Sequence, residues 1–318
     1  MTKPTILYYP TAEPVSQHYA ATIGFFDGVH MGHRSVISQL RNAAVERGLR
    51  SMVVTFEQHP RQVLQSGWQP QLLTSLDEKL CLLAQTGINT VVVLRFDQAM
   101  SQLSAREFME RVLKRDLGVD LLLTGYDNRF GHNCKATFAD YLAYGRELDI
   151  EVRCGLPADV CGQRVSSSLV RQLLSEGSVA EAARCLGRHY TLSGRVGHGE
   201  QIGRQLGFPT ANIMLSNSSL LIPAPGVYAI RIRLEGHEKL LQGMMNIGTR
   251  PTFHGQQLTL EAHLFDFTAD LYGQRLTIVF IDRLRDEQTF SSAQALTLQM
   301  AQDERLARQI LQNTSTIE

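Results

Sequence analysis

Lysine is scarce in this chain, five of 318 residues, so arginine carries most of the positive charge. Neither sign is in excess: 31 basic residues face 31 acidic ones. Nothing in that balance suggests a general nucleic-acid binder or a protein held to acidic membranes by charge. No apolar run approaches the roughly 18–20 residues of a transmembrane helix. The opening MTKPTILYYPTAEPV lacks the basic segment and apolar stretch of a signal peptide, and a cytoplasmic location is expected. Cysteines are few, odd in number and without a CxxC: Cys81, Cys134, Cys154, Cys161 and Cys185. A reduced protein without structural zinc is expected. There is no Gly-Lys pair, which excludes a Walker A loop. Gly197, Gly199 and Gly203 have the wrong spacing for a dinucleotide loop. If the chain handles ATP, it does so with other machinery.

The length suggests two domains, and a hydrophobic content of 43% is enough for real cores. Over about the first 150 residues, β-prone runs alternate with helical patterns. After a lead-in strand and loop (1–20), strands are expected at 21–26, 51–56, 90–96, 121–125 and 150–153. Ser75-x-x-Glu78 and Ser104-x-x-Glu107 are capping boxes that open helices, closed near Gly87 and Gly118. This alternation predicts a doubly wound parallel sheet, in which ligands collect at the carboxyl ends of the strands. Asp27 with His30, His59, and the loop after Leu123 all fall at such ends and can converge.

The stretch that organises this half is Thr22–Arg34, TIGFFDGVHMGHR. A strand, a glycine-bearing turn and an amphipathic helix make a phosphate-site architecture, because the first helical turn offers free N–H groups and a positive dipole end. Gly28 serves the turn, and Gly32 would let the backbone approach an anion. His30 and His33, three apart, add imidazole donors. Asp27 either binds nucleotide or holds the turn. Farther on, Ser166, Ser167 and Ser168 open a helix at 169–174. Hydroxyls there are ordinarily caps, but Arg171, one turn on, could face the same anion.

A connecting helix in 178–190 leads to a β pattern. Tyr228, Ile230, Ile232 and Leu234 alternate with Arg231 and Arg233, and 258–264 and 276–280 repeat the theme. Period-two runs between glycine turns predict a small antiparallel barrel. A last helix is expected from Ser292 to Leu311.

GxFDGxHxGH is the signature of the HxGH nucleotidyltransferases. In its longer form it resembles the adenylyltransferase half of bifunctional bacterial riboflavin kinase/FAD synthetases, with Phe25 standing where asparagine is common. Ser166–Arg171 resembles that family's SSTxxR element, whose serine and arginine grip the triphosphate. Thr124–Gly131 resembles its flavin-side loop, with Asp127 the carried-over contact and Asn128 in place of an aromatic residue. Gly203-Arg204-Gln205-Leu206-Gly207-Phe208-Pro209-Thr210-Ala211-Asn212 contains the PTAN signature of riboflavin kinases. The resemblance implies that Thr210 and Asn212 supply oxygens to Mg²⁺ bridging nucleotide phosphates, a donor type that suits this ion. It implies that Glu261 is the general base toward the ribityl 5′-hydroxyl. It also implies that Tyr228, Asn246, Arg250 and Arg285 shape the nucleotide and flavin clefts.

Together these imply an α/β domain, 1–185, that adenylates FMN, and a β-barrel domain, 186–318, that phosphorylates riboflavin. ATP is the co-substrate and Mg²⁺ the cofactor of both. His30, His33 and Arg171 serve the first reaction and Glu261 the second. The expected partners are ATP, riboflavin and FMN, with no nucleic acid and no membrane. Two rivals remain at this level: a flavin-binding protein retaining only the kinase activity, and an HxGH transferase with another acceptor.

Overall fold

A computed structural model describes residues 3–10, 17–65, 67–125, 128–157, 159–160, 162–197, 208–237, 239–252 and 255–314. The chain divides into two compact units, Met1–Ser167 and Ser168–Glu318.

In the first unit β1 (Thr5–Tyr9), β2 (Tyr19–Ile23), β3 (Arg50–Phe56), β4 (Thr90–Leu94), β5 (Val119–Thr124) and β6 (Glu151–Cys154) form one sheet, ordered β1-β4-β3-β2-β5-β6. Every pairing is parallel. The helices between the strands are α1 (Met31–Glu46), α2 (Pro60–Leu64), α3 (Leu76–Ala84), α4 (Gln98–Ser101), α5 (Ala105–Glu107) and α6 (Phe138–Leu148). α5 runs on as a wider π-type helix, Phe108–Asp116, and Gly118 at φ +63° ends it.

Alternation decides which face each strand residue serves. Ala20, Val53, Val91, Val93 and Leu121 pack under α1 and α3, against Ile37, Leu40, Leu80 and Leu83. Ala21, Met52, Val54, Val92 and Leu122 pack on the opposite face, against Phe108, Met109, Val112 and Tyr141. The near-continuous apolar strands follow from burial on both faces. The expected doubly wound sheet is present. Its lead-in strand is a true edge strand paired with β4. β2 ends at Ile23, three residues earlier than expected, because Phe26 turns into the left-handed region at φ +54°.

The strand order sets the binding crevice. From β2 the chain winds outward through β3 and β4, then crosses to the other side of β2 to lay down β5. The carboxyl ends of β2 and β5 therefore flank the topological switch point, where open α/β sheets take ligands.

The second unit begins with α7 (Ser167–Ser175), whose first residue belongs to the first unit, and α8 (Val179–Leu186). Strands β9 (Tyr190–Gly197), β10 (Thr210–Leu215), β11 (Gly226–Leu234), β12 (Leu241–Thr252), β13 (Gly255–Leu264) and β14 (Arg275–Arg285) close a barrel in the order β10-β13-β12-β11-β14-β9. (β7, Asp159–Val160, and β8, Gln163–Arg164, form a small hairpin in the first unit.) Tyr190, Tyr228, Ile230, Met245, Ile247, Ala262, Ile278 and Phe280 are all at most 1% exposed.

The helix α9 (Ala293–Asn313) covers part of the barrel's outside. Ala307 and Leu311 pack on Ala229, Met244, Phe265 and Ile281. Arg231, expected among the outward polar residues, is buried beneath this helix. Its guanidinium donates to the carbonyls of Leu311 (3.0 Å) and Thr314 (2.6 Å), satisfying acceptors that a helix C-terminus leaves open.

Candidate functional site

The turn leaving β2 is tightly wound. Phe26, Gly28 and Val29 all have positive φ, at 54°, 79° and 39°. For β-branched Val29 that conformation is unfavourable and must be imposed by its surroundings. The Asp27 carboxylate, 3% exposed, accepts from the backbone N–H of Leu73 (3.0 and 3.1 Å) and Thr74 (3.2 Å). Thr74 Oγ1 lies 3.3 Å from the same carboxylate and accepts from Gly28 N–H at 3.1 Å. Of the two roles open to Asp27, this geometry serves the second: it ties the turn to the segment before α3. Ser167 Oγ donates to the Asp27 carbonyl at 3.0 Å, which brings the serine run to the turn.

His30 is the N-cap of α1, and its Nδ1 accepts from the His33 N–H at 3.3 Å. In the neutral ring the proton then resides on Nε2, which makes that atom a donor. The His33 ring stacks on that of His30, centroids 3.6 Å apart and planes 19° from parallel, and Phe26 meets its other side edge-on at 5.1 Å. His33 is half-buried, and its Nδ1 is shut off from solvent. Burial first, then the nearby His30 and Lys79 charges, hold its imidazole well below the usual histidine range. Gly32 has a more local cause than approach to an anion. A Cβ there would lie 3.0 Å from the Val165 carbonyl and 3.1 Å from the His30 ring, so a side chain would press on the ring that caps α1.

The expected convergence at the strand ends is present. His59 caps α2 with a reciprocal pair: its Nδ1 accepts from Arg61 N–H, and its own N–H donates to Gln62 Oε1. Its ring lies 4.7 Å from Phe25 and 4.7 Å from Trp68. From the β5 end, the Asn128 amide donates to the Ile23 carbonyl, closing the switch point with a side chain shorter than the aromatic residue it replaces. Asp127 lies outside the described residues. Ser166 is half-buried, and Arg171 follows Ser167 by one turn along α7. Phe25, Trp68 and Lys79 were not anticipated. The signal for Lys79 was its place at i+3 in the apolar series Leu76, Leu80, Leu83 of α3.

In the barrel the pairing register does the assembling. Asn212 of β10 stands opposite Glu261 of β13, and Glu261 opposite Asn246 of β12. Thr210 stands opposite His263. Directly paired residues share a face, and so do residues two apart. Thr210, Asn212, Glu261, His263 and Asn246 therefore lie together on one face of the wall. Glu261 is half-buried, not freely solvated. His263 Nδ1 is 2.8 Å from the Pro209 carbonyl. A carbonyl only accepts, so Nδ1 carries the proton and fixes the Phe208-Pro209 entry to β10. A cavity of about 570 Å³ opens beside Thr210, walled by Pro209, Leu264, Phe267, Leu271 and Tyr272.

Hydroxyl, amide and carboxylate oxygens are the donors that hard Mg²⁺ takes, so Thr210, Asn212 and the facing Glu261 fit this ion. Gly203, Arg204 and Gly207 lie outside the described residues, as does the side chain of Arg250.

Two residues expected at the clefts make contacts within the barrel unit itself. Tyr228 is 0% exposed, and its hydroxyl donates to the Ala224 carbonyl at 2.5 Å. It is a core residue because β11 alternation turns it inward. Arg285 binds the Asp303 carboxylate through Nε (3.0 Å) and Nη2 (2.8 Å) beneath α9, with Phe290 on its face. Glu287 accepts from Thr249 N–H and so joins the segment after β14 to β12.

Comparison with known proteins agrees with this geometry. Residues 12–169 match the FAD synthetase family and residues 186–311 the riboflavin kinase family. The bifunctional riboflavin kinase/FMN adenylyltransferase of Escherichia coli K12 is 40% identical over 288 residues, covering 91% of each chain. The enzyme of the same name from Pseudomonas fluorescens is 40% identical over 297 residues, covering 93% of this chain and 94% of that one. The solved structure of a macrolide-efflux protein from Streptococcus pneumoniae superposes with a TM-score of 0.87 at 28% identity, over 98% and 99% of the two chains. No helix among the described residues is long and apolar enough to cross a membrane. With a histidine-capped nucleotidyltransferase turn in one unit and a Thr–Asn–Glu barrel wall in the other, this chain belongs to the bifunctional riboflavin kinase/FMN adenylyltransferase family.

Proposed function

We propose that the chain makes FAD from riboflavin in two ATP-dependent steps, riboflavin to FMN within 186–318 and FMN to FAD within 1–185, in the cytoplasm. The observation that carries the kinase step is the register that sets Glu261 between Asn212 and Asn246. The Glu261 carboxylate takes the proton of the ribityl 5′-hydroxyl as that oxygen attacks the γ-phosphorus of ATP. The bond from that phosphorus to the ADP oxygen breaks. Thr210 and Asn212 hold Mg²⁺, which when bound offsets the negative charge of the nucleotide phosphates. His263 keeps the Phe208-Pro209 approach to these ligands in place, and a cavity opens beside Thr210.

The adenylylation step needs no strong base, because the FMN phosphate is already an anionic nucleophile. It attacks the α-phosphorus of ATP, and pyrophosphate leaves. What the protein supplies is position and charge stabilisation. The His30 Nε2–H, His33 and the first N–H groups of α1 face the phosphates. Ser166, Ser167 and Arg171 take the pyrophosphate side, and Asp127 the flavin side. The test is direct: pure protein with riboflavin, ATP and Mg²⁺ should yield FMN first and FAD after it. FMN that never proceeds to FAD would leave the kinase alone.

A further inference from the structure

Of the five lysines, Lys79 alone is buried, at 3% exposure. It lies on the apolar face of α3 between Leu76, Leu80 and Leu83, where a leucine or methionine would pack. Its Nζ donates to the Phe56 carbonyl at 2.9 Å and to the Phe25 carbonyl at 3.2 Å, and sits 4.3 Å from the centre of the Phe25 ring. Two carbonyls and a ring face account for its donors, so the ammonium is held by neutral dipoles in place of a contacting carboxylate. Both carbonyls are at the carboxyl edge of the sheet. Phe56 closes β3, and Phe25 opens the turn that ends in His30. Thr55 Oγ1 donates to the same Phe25 carbonyl at 3.1 Å.

A buried cation is costly unless something uses it. Here the segment 73–79 grips the turn twice. The backbone of Leu73 and Thr74 takes the Asp27 carboxylate, and Lys79 takes the Phe25 carbonyl two residues earlier. The positive φ values of Phe26, Gly28 and Val29 lie between the first of these holds, Phe25, and His30. The ammonium also reaches His33 electrostatically and helps keep it neutral.

We propose that Lys79 is a positioning residue for adenylyl transfer: it locks the β2 exit to the β3 exit so that the turn presents His30, and it places a fixed positive charge behind the anion site. It acts through the turn and touches no substrate. The inference rests on the reading of the first unit as the FMN adenylyltransferase. The charged and titratable groups around it are Asp27 from the turn, His30 and His33 from α1, His59 across Phe25, exposed Glu57 after β3, and Asp77 and Glu78 on its own helix. Burial brings the ammonium down to about 8, and Asp27 acts the other way. Lys79 therefore loses its charge in a range where histidines are already neutral and phosphates fully ionised.

The experiment is FMN-to-FAD conversion by the full chain with added FMN, ATP and Mg²⁺, from pH 6.5 to 9.5. The unaltered chain should lose kcat above about pH 8 while KM for FMN moves less than about threefold. Lys79→Met should have kcat lowered about 10- to 100-fold at pH 7 and no break near pH 8. Lys79→Arg, which stays charged, should recover part of kcat and move the break beyond the range. Lys79→Met with unaltered kcat, or with the break intact, would overturn the inference. If Lys79→Met fails to fold, a profile of the unaltered chain that is flat from pH 7 to 9.5 overturns it equally. Absence of FAD from the unaltered chain would overturn the adenylyltransferase reading and this inference together. FAD made by Lys79→Met at the normal rate would overturn only the latter.

Discussion

His33 lies flat against His30 with ring centroids 3.6 Å apart, and desolvation holds its imidazole well below the usual histidine range. Two stacked imidazoles cannot both take a proton cheaply, so in the proposed adenylylation the pair acts as hydrogen-bond donors. This fixes a sign for acid. The unfolded chain protonates His33 near pH 6.5, whereas the folded chain resists until far lower. Stability of the first unit should therefore fall as pH drops below about 6.5, by at most ~1.4 kcal/mol per unit from this residue. Trp68, the only tryptophan, lies in this unit and reports it. Urea midpoints followed by its emission should drop between pH 7 and 5, and His33→Asn should flatten the drop. An unchanged slope in the variant would count against a neutral His33.

Gly32→Ala tests the stack from another side. The new Cβ meets the Val165 carbonyl and the His30 ring at about van der Waals overlap (3.0 and 3.1 Å). FAD formation should fall at least about tenfold, a cost of ~1.4 kcal/mol in positioning, while FMN formation is unchanged. Chromatography of the flavin products reads both at once.

Asp27→Asn should damage the first unit's stability as well as its catalysis. The carboxylate accepts backbone N–H groups of Leu73 and Thr74, and an amide would present its own N–H to one of them. A loss of about 2–3 kcal/mol is expected from a buried donor left unpaired. A Tm within a degree of the parent would show that Asp27 does not hold the turn.

Arg285 and Asp303 separate a structural role from a ligand role. Removing one partner strands a buried charge: Arg285→Met should cost about 3–5 kcal/mol. Arg285→Met with Asp303→Leu should recover most of that in thermal unfolding, and riboflavin kinase activity should return with it. A stable double variant without kinase activity would place Arg285 in contact with substrate.

Much of this was legible in the residues. Apolar runs alternating with capped helices foretold the parallel sheet, and period-two runs foretold the barrel, because backbone geometry fixes which side chains share a face. The register that assembles Asn212, Glu261 and Asn246 follows from the same alternation once the strands pair. What covers an outer face was not legible. Arg231 read as an outward polar residue and Arg285 as a cleft residue, and both lie beneath α9, one capping its end and the other bound to Asp303. Tyr228 belonged both to a motif and to the apolar series of its strand, and the alternation decides its direction. Lys79 broke an apolar series, yet only the fold shows that two strand ends meet there.

In the proposed function one chain carries two separate phosphate-handling sites, a histidine pair in the first unit and Glu261 with its Thr–Asn neighbours in the second. The most direct measurement is the flavin product profile of His30→Ala and Glu261→Ala, each folded and supplied in turn with riboflavin and with FMN. His30→Ala should make FMN at the normal rate and almost no FAD. Glu261→Ala should make almost no FMN from riboflavin but convert added FMN to FAD normally. Loss of both reactions in either folded variant would contradict the claim.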